Sequence, residues 1–224
     1  MAQFSVSKYK SGLKLAIGTV QFGQAYGISN TKGKLNEIDV KNILQLASEE
    51  GISMIDTAPA YGNAEAILGQ LVGTLSSFKI VTKTIALSAI PDNLRPSTEI
   101  IKTFEQSLKR MQVDQTYGLI VQLPEDLVGP KGDEVWESLE KIKASGKVER
   151  IGVSAYRADE IRNILKTYPI ELVQLPFNIF DQSLLHSNFF NYLKNTGIEI
   201  HTRSTFLQGL LLMSPENLPD GFLS

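Results

Sequence analysis

The chain has 224 residues, 42% of them apolar, and carries 22 Lys and Arg against 24 Asp and Glu for a net charge of −2. That size supports one large α/β domain or two small ones, and the intermixed charges argue against a nucleic-acid or membrane surface. The lack of cysteine excludes disulfides and thiolate metal sites; with no basic-then-apolar leader and no apolar run near the roughly 18 residues of a membrane span, a cytoplasmic protein is expected.

A first strand is predicted over 15–20, with Gly18 and Thr19 inside it. Asn36 then offers a helix N-cap, Val40, Ile43, Leu44 and Ala47 recur at helical spacing, and Gly51 supplies the stop. A second strand over 52–56 leads to a helix over 63–71, and a third strand covers 79–82. The helix after Ser97 places Ile100, Phe104, Leu108 and Met111 on one face. A fourth strand over 117–122 precedes a helix over 133–146 that carries Glu137 and Lys141 as a four-apart pair. The fifth strand covers 150–154, with Ile161, Ile164 and Leu165 marking its helix. The sixth covers 171–175, a helix over 189–194 follows, and the seventh covers 199–202.

Near-continuous apolar strands alternating with amphipathic helices point to a parallel sheet buried on both faces. No compositional break or linker divides residues 1–224, so a single domain is expected. An open doubly wound sheet usually carries Gly-x-Gly-x-x-Gly after its first strand, and Gly18-Thr19-Val20-Gln21-Phe22-Gly23 is not that fingerprint. A barrel is therefore preferred. A closed (β/α)8 barrel needs eight strands, so with seven the eighth β/α unit is expected to be missing. The two sheet edges left unpaired would invite self-association.

In a barrel the chemistry collects at the C-terminal strand ends. Those ends read Gly18-Thr19, Asp56, Lys83, Gln122, Ser154, Gln174 and Arg203-Ser204. A lysine and a carboxylate at neighbouring strand ends, Lys83 and Asp56, with Tyr61 in the adjacent loop, form a plausible proton-donating unit. A tyrosine with pKa near 10 is a poor acid at neutral pH, and a nearby ammonium lowers that value by favouring the phenolate.

At these residues the chain resembles the aldo-keto reductase family. The resemblance rests on Gly18-Thr19, the block Asp56-Thr57-Ala58-x-x-Tyr61-Gly62-Asn63-x-Glu65, Lys83 in Val-Thr-Lys, the block Gly146-Lys147-Val148-x-x-Ile151-Gly152-Val153-Ser154, and Gln174 with Asn178. It implies reduction of an aldehyde or ketone by NADPH, with NADH possible, on a (β/α)8 barrel acting on a small-molecule carbonyl substrate. Tyr61 would be the general acid, Lys83 would lower its pKa and Asp56 would hold Lys83. By the same resemblance Gly18 and Thr19 lie on the cofactor side of the mouth, and Ser154 and Gln174 bind the nicotinamide amide. Arg203 and Ser204 end the seventh strand, where relatives stack an aromatic ring on the nicotinamide. Thr205, Phe206 and Gln208 begin the loop that contacts the pyrophosphate.

Two departures stand out. Gln122 occupies the position where the family usually has histidine; its amide can donate to a carbonyl oxygen but cannot titrate near neutral pH. Ala155 stands where many relatives have asparagine. The family's basic C-terminal residues for the adenosine 2′-phosphate have no counterpart, so this form is expected to bind cofactor weakly. His186 is expected to be solvated and His201 to be hydrogen-bonded inside the seventh strand; the pair lacks metal-ligand spacing, so no metal is expected. Competing readings are a Schiff-base lyase using Lys83 and a catalytically weak, reductase-like binding or regulatory subunit.

Overall fold

The computed structural model of the protein describes residues 14–71, 77–186 and 188–219. Its sheet consists of β1 (Ala16–Gly18), β2 (Met54–Asp56), β3 (Lys79–Lys83), β4 (Thr116–Val121), β5 (Val148–Ser154), β6 (Leu172–Pro176) and β7 (Glu199–Arg203). All seven are parallel, and each pairs with its sequence neighbour in the order β1-β2-β3-β4-β5-β6-β7. Sequential order separates the two architectures: a doubly wound sheet reverses direction part-way, whereas a barrel adds every strand to the same side. The fold is therefore the (β/α)8 barrel type, represented by seven strands. Among the described residues no strand pairs with the outer edge of β1 or β7.

The connecting helices are α1 (Val20–Gly23), α2 (Glu37–Glu49), α3 (Ala64–Gln70), α4 (Pro96–Met111), α5 (Glu125–Val128), α6 (Gly132–Ala144), α7 (Ala158–Ile164), α8 (Ser183–His186) and α9 (Phe189–Asn195). The predicted cap holds: Asn36 Oδ1 accepts from the Asp39 backbone N at 2.9 Å. Alternation along the strands assigns two cores. Leu119, Val121, Val153, Val173 and Leu175 face outward and pack with Leu139, Ile142, Ile161 and Ile164 of α6 and α7. Val81, Ile120 and Leu172 face inward and fill the barrel. Under α2 and α3, Val40, Leu44, Ile67 and Leu68 close over Ile55 of β2. Both strand faces are buried, which is why the strands read as continuous apolar runs rather than alternating ones.

Several boundaries differ from the sequence expectation. The first strand ends at Gly18, because the chain turns into α1 to bury Phe22. The second begins at Met54, since Ile52 N still bonds Ala47 O at the end of α2. The fourth spans Thr116–Val121 and the sixth Leu172–Pro176, each one residue out of register with the prediction. The fifth starts early, at Val148, which pairs with Thr116. The third and seventh each run one residue further, to Lys83 and Arg203. Among the described residues no helix is long and apolar enough to cross a membrane.

Candidate active site

Lys83 closes β3 and Asp56 closes β2, and the two strands are paired neighbours. Residues 79, 81 and 83 share one strand face, so Lys83 points the way Val81 does, into the barrel. It is only 2% exposed. Nζ lies 2.7 Å from Asp56 Oδ1 and donates to the Thr57 carbonyl at 3.0 Å. Burying an ammonium is costly unless such partners surround it.

Tyr61 is delivered to this pair by a tight loop. Tyr61 N bonds the Ala58 carbonyl at 3.0 Å, and Ala64 N, opening α3, bonds the Tyr61 carbonyl at 3.1 Å. Gly62 between them has φ +57, and a Cβ there would stand 2.4 Å from the Gly23 carbonyl oxygen. A Cβ on Gly23 would in turn stand 1.7 Å from the Tyr61 carbonyl oxygen. Only a glycine pair lets the β1 and β2 loops press together this closely. The Lys83 Nζ is 5.0 Å from the centroid of the Tyr61 ring.

Burial pushes the Tyr61 phenol above its ordinary value; the Lys83 ammonium pulls it back and the Asp56 carboxylate adds to the rise. The expectation that Lys83 leaves this phenol more acidic than a free tyrosine is thus corrected. The ammonium acts in the expected direction, but the loss of water around the hydroxyl is the larger effect.

Gln174, on β6, donates from Nε2 to Asp56 Oδ1 at 2.7 Å, the same oxygen that holds Lys83. Ser154 is its direct register partner on β5, and both are buried. Thr19 is fully buried and donates through both its hydroxyl and its backbone N to the Asp56 carbonyl, each at 3.0 Å. Its hydroxyl proton is committed to bracing Asp56. Gly18, just before it, is exposed, and a Cβ there would meet nothing within 4 Å.

Gln122 follows β4 on the inward-facing register of Ile120. Its backbone N donates to Thr84 Oγ1 at 3.2 Å, while its side-chain Oε1 is buried without a hydrogen-bond partner among the described residues. Asn178 Oδ1 accepts from the backbone N of Phe180 and Asp181 at 2.9 and 3.0 Å, shaping the turn after β6. Farther along the rim, Arg203 stacks 4.2 Å from the Tyr156 ring centroid and donates from Nη2 to the Ala155 carbonyl at 3.4 Å. Ser204 has φ +59 and Gln208 φ +57, Phe206 is exposed, and the Gln208 carbonyl accepts from Ser29 N at 3.3 Å. The fold thus gathers Asp56, Tyr61, Lys83, Thr19 and Gln174 at one point. Arg203, Ser204, Phe206 and Gln208 make no hydrogen bond to that group among the described residues. A cavity of about 850 Å³ lies at the opposite strand ends, lined by Lys79, Thr116, Tyr117 and Val148, away from the site.

Residues 14–221 match the family model described as the Aldo/keto reductase family. The chain belongs to the aldo/keto reductase family.

It is 30% identical over 176 residues to Aldo-keto reductase YhdN of Bacillus subtilis (strain 168), covering 75% of this chain and 52% of that protein. It is 28% identical over 195 residues to the NADH-specific methylglyoxal reductase of Escherichia coli (strain K12), covering 78% of this chain and 58% of that one. The chain therefore spans a little over half the length of these curated relatives. Its fold superposes on the holo form of aldo-keto reductase AKR11C1 from Bacillus halodurans with a TM-score of 0.73, at 23% identity, covering 93% of this chain and 66% of that one. At that identity the likeness speaks for the fold alone.

Within this aldo/keto reductase barrel, some residues around the site carried no assigned role in the sequence. Gly23 and the Thr57 carbonyl are not marked by the sequence, the first because a close backbone approach leaves no local sign and the second because any residue supplies a carbonyl. Glu65 stood inside the resemblance block without a role, and it proves to be buried at 2% exposure. A charged residue four positions after Tyr61, on the buried face of α3, was the available signal. Of the histidines, His201 bonds Glu199 Oε1 through Nε2 at 2.8 Å, as expected for the seventh strand. The side chain of His186 lies outside the described residues.

Proposed function

We propose that this aldo/keto reductase chain reduces the carbonyl of a small aldehyde or ketone, with NADPH or NADH as cofactor and Tyr61 as the general acid. The observation that carries the proposal is the Tyr61–Lys83–Asp56 arrangement: a phenol beside a buried ammonium that is itself anchored 2.7 Å from a carboxylate. A phenol held above its ordinary pKa is protonated at neutral pH, which is the state an acid must occupy before it acts.

The site suits the nicotinamide end of such a cofactor. Ser154 and Gln174 sit side by side at the ends of β5 and β6, and the open space over Gly18 leaves a clear shelf beside Asp56. Gln174 uses one amide proton on Asp56, leaving the other and its oxygen to hold a carboxamide. A reduced nicotinamide held there would supply hydride to the carbonyl carbon. As charge builds on the carbonyl oxygen, Tyr61 gives that oxygen its proton and completes the alcohol. Lys83 then faces a phenolate rather than a phenol, and its attraction to the new negative charge is strongest after the proton has left. Asp56 and the Thr57 carbonyl keep Lys83 aimed throughout. Gln122 contributes its amide as a neutral donor to the carbonyl oxygen. The pairing of Lys83 favours this chemistry over a Schiff-base lyase, which requires an unpaired, neutral amine.

The E. coli relative's name makes methylglyoxal with NADH the first pair to assay, with NADPH beside it. Turnover is followed by loss of reduced-nicotinamide absorbance, and Tyr61→Phe is expected to lower kcat by roughly 10²-fold or more while cofactor affinity is retained. An unchanged rate in Tyr61→Phe, or no turnover of any small carbonyl with either cofactor, overturns the proposal.

A further inference from the structure

We infer that Glu65 is a positioning residue: it clamps the loop carrying Tyr61 to the strand carrying Lys83, and so sets the separation across which the two groups act. The inference rests on the function proposed above for that pair, but its geometry is independent of turnover.

Glu65 lies in the first turn of α3, directly downstream of the Tyr61 loop, and is 2% exposed. A carboxylate at that depth is costly unless its oxygens are filled, and each is. Oε1 accepts from Thr82 Oγ1 at 3.0 Å. Oε2 accepts from Arg110 Nε at 2.9 Å and Nη2 at 2.7 Å, and Nη2 also reaches Ser107 Oγ at 3.1 Å.

The identity of the first partner is what matters. Thr82 is the residue before Lys83 on β3, and successive strand side chains point to opposite faces. Lys83 therefore turns into the barrel toward Tyr61 while Thr82 turns outward to Glu65. From Glu65 the path back to Tyr61 is stiff. Ala64 N bonds the Tyr61 carbonyl, Ile67 N bonds the Asn63 carbonyl, and Gly62 is locked against Gly23. The far side is equally tight, since a Cβ on Gly69 of α3 would stand 2.0 Å from the Arg110 carbonyl oxygen of α4. Glu65 thus joins three elements, with Tyr61 at the entrance to one and Lys83 at the end of another. The coupling of Lys83 to the phenol depends on their distance, so a slide of α3 along β3 weakens it. The other groups acting on the phenol are Asp56 and Tyr26, both of which raise its pKa, so neither substitutes for Lys83.

The test is the titration of Tyr61 in the intact chain, read by NMR with Cζ-labelled tyrosine and assigned through Tyr61→Phe. Two variants are compared with the parent: Thr82→Val, which removes one hydrogen bond at nearly constant shape, and Glu65→Gln, which keeps an acceptor for Thr82 but removes the charge from Arg110. In both, the Tyr61 midpoint is expected to move further up, by about half a pH unit or more in Thr82→Val, as the ring drifts from Lys83. The Tyr117 and Tyr168 signals in the same spectra are expected to stay in place, which separates positioning from general loosening. With a carbonyl substrate, kcat is expected to fall with little change in KM for the cofactor. Folded Thr82→Val and Glu65→Gln proteins whose Tyr61 titrates as in the parent overturn the inference. A displaced Tyr61 titration in a chain that turns over no carbonyl upholds the clamp and counts against the proposed function alone.

Discussion

At Asp56 a single oxygen receives Lys83 Nζ and Gln174 Nε2, each at 2.7 Å, and the carbonyl of the same residue receives Thr19 twice. Asp56, Lys83, Gln174 and Thr19 are thereby bonded to one another before any ligand arrives, which is how preorganised electrostatics are built. Lys83→Met keeps the buried stem but removes the attraction that opposes burial at Tyr61. The Tyr61 phenol is expected to rise further, and kcat to fall by roughly 10²-fold or more, measured as kcat against pH. At the adjacent turn, Gly62→Ala combines a left-handed backbone with a Cβ 2.4 Å from the Gly23 carbonyl oxygen. A loss of about 2 kcal/mol is expected in urea unfolding, along with reduced turnover, because the displaced loop carries Tyr61. The trio itself was visible in the sequence because Asp56 and Lys83 end consecutive apolar runs and Tyr61 lies in the loop after the first of them. The direction of the Tyr61 pKa was not, because burial depends on packing that no neighbouring residue announces.

Among the elements, α2 and α4 match their sequence patterns closely. The helix formed by Pro96–Met111 buries Ile100, Phe104, Leu108 and Met111, the face that their spacing marks out. Asn36 caps α2 as expected, and Asn36→Ala is predicted to cost about 1 kcal/mol in thermal or urea unfolding, since it orphans the Asp39 N–H. Strand limits were less legible. Val148 lies ahead of the strand predicted over 150–154, yet it joins β5 because Thr116 is there to pair with it. Val20 reads as strand, yet it leaves the sheet so that Phe22 can pack with Val40 and Ala64. In each case the deciding partner is far away in the chain.

For the molecule as a whole, two tyrosines, Tyr168 buried and Tyr117 half-buried, set an alkaline limit. Burial, reinforced by a hydrogen bond to Glu199, pushes Tyr117 up to about 12; burial and a 2.8 Å bond to Asp133 do the same for Tyr168. An unfolded tyrosine ionises near pH 10. Between about pH 10 and 12 the unfolded chain therefore binds fewer protons than the native one, and stability must fall as pH rises through that window. Urea midpoints are expected to be level below pH about 9.5 and to drop steeply above pH about 10.5, with Tyr168→Phe flattening part of the drop. A midpoint that holds constant to pH about 12 contradicts this assignment.

Periodicity and strand-end chemistry, both local properties of the chain, were enough to read the parallel β/α units and the helix faces, and to single out Asp56, Tyr61 and Lys83 as candidates that the fold brings together. Strand order, the burial that overrides Lys83 at the phenol, the sharing of Asp56 Oδ1 by Lys83 and Gln174, and the Glu65 link to Thr82 were decided only by tertiary structure. They join residues up to 118 positions apart, and hydration and distance at such a junction are set by the three-dimensional neighbours rather than by the sequence on either side.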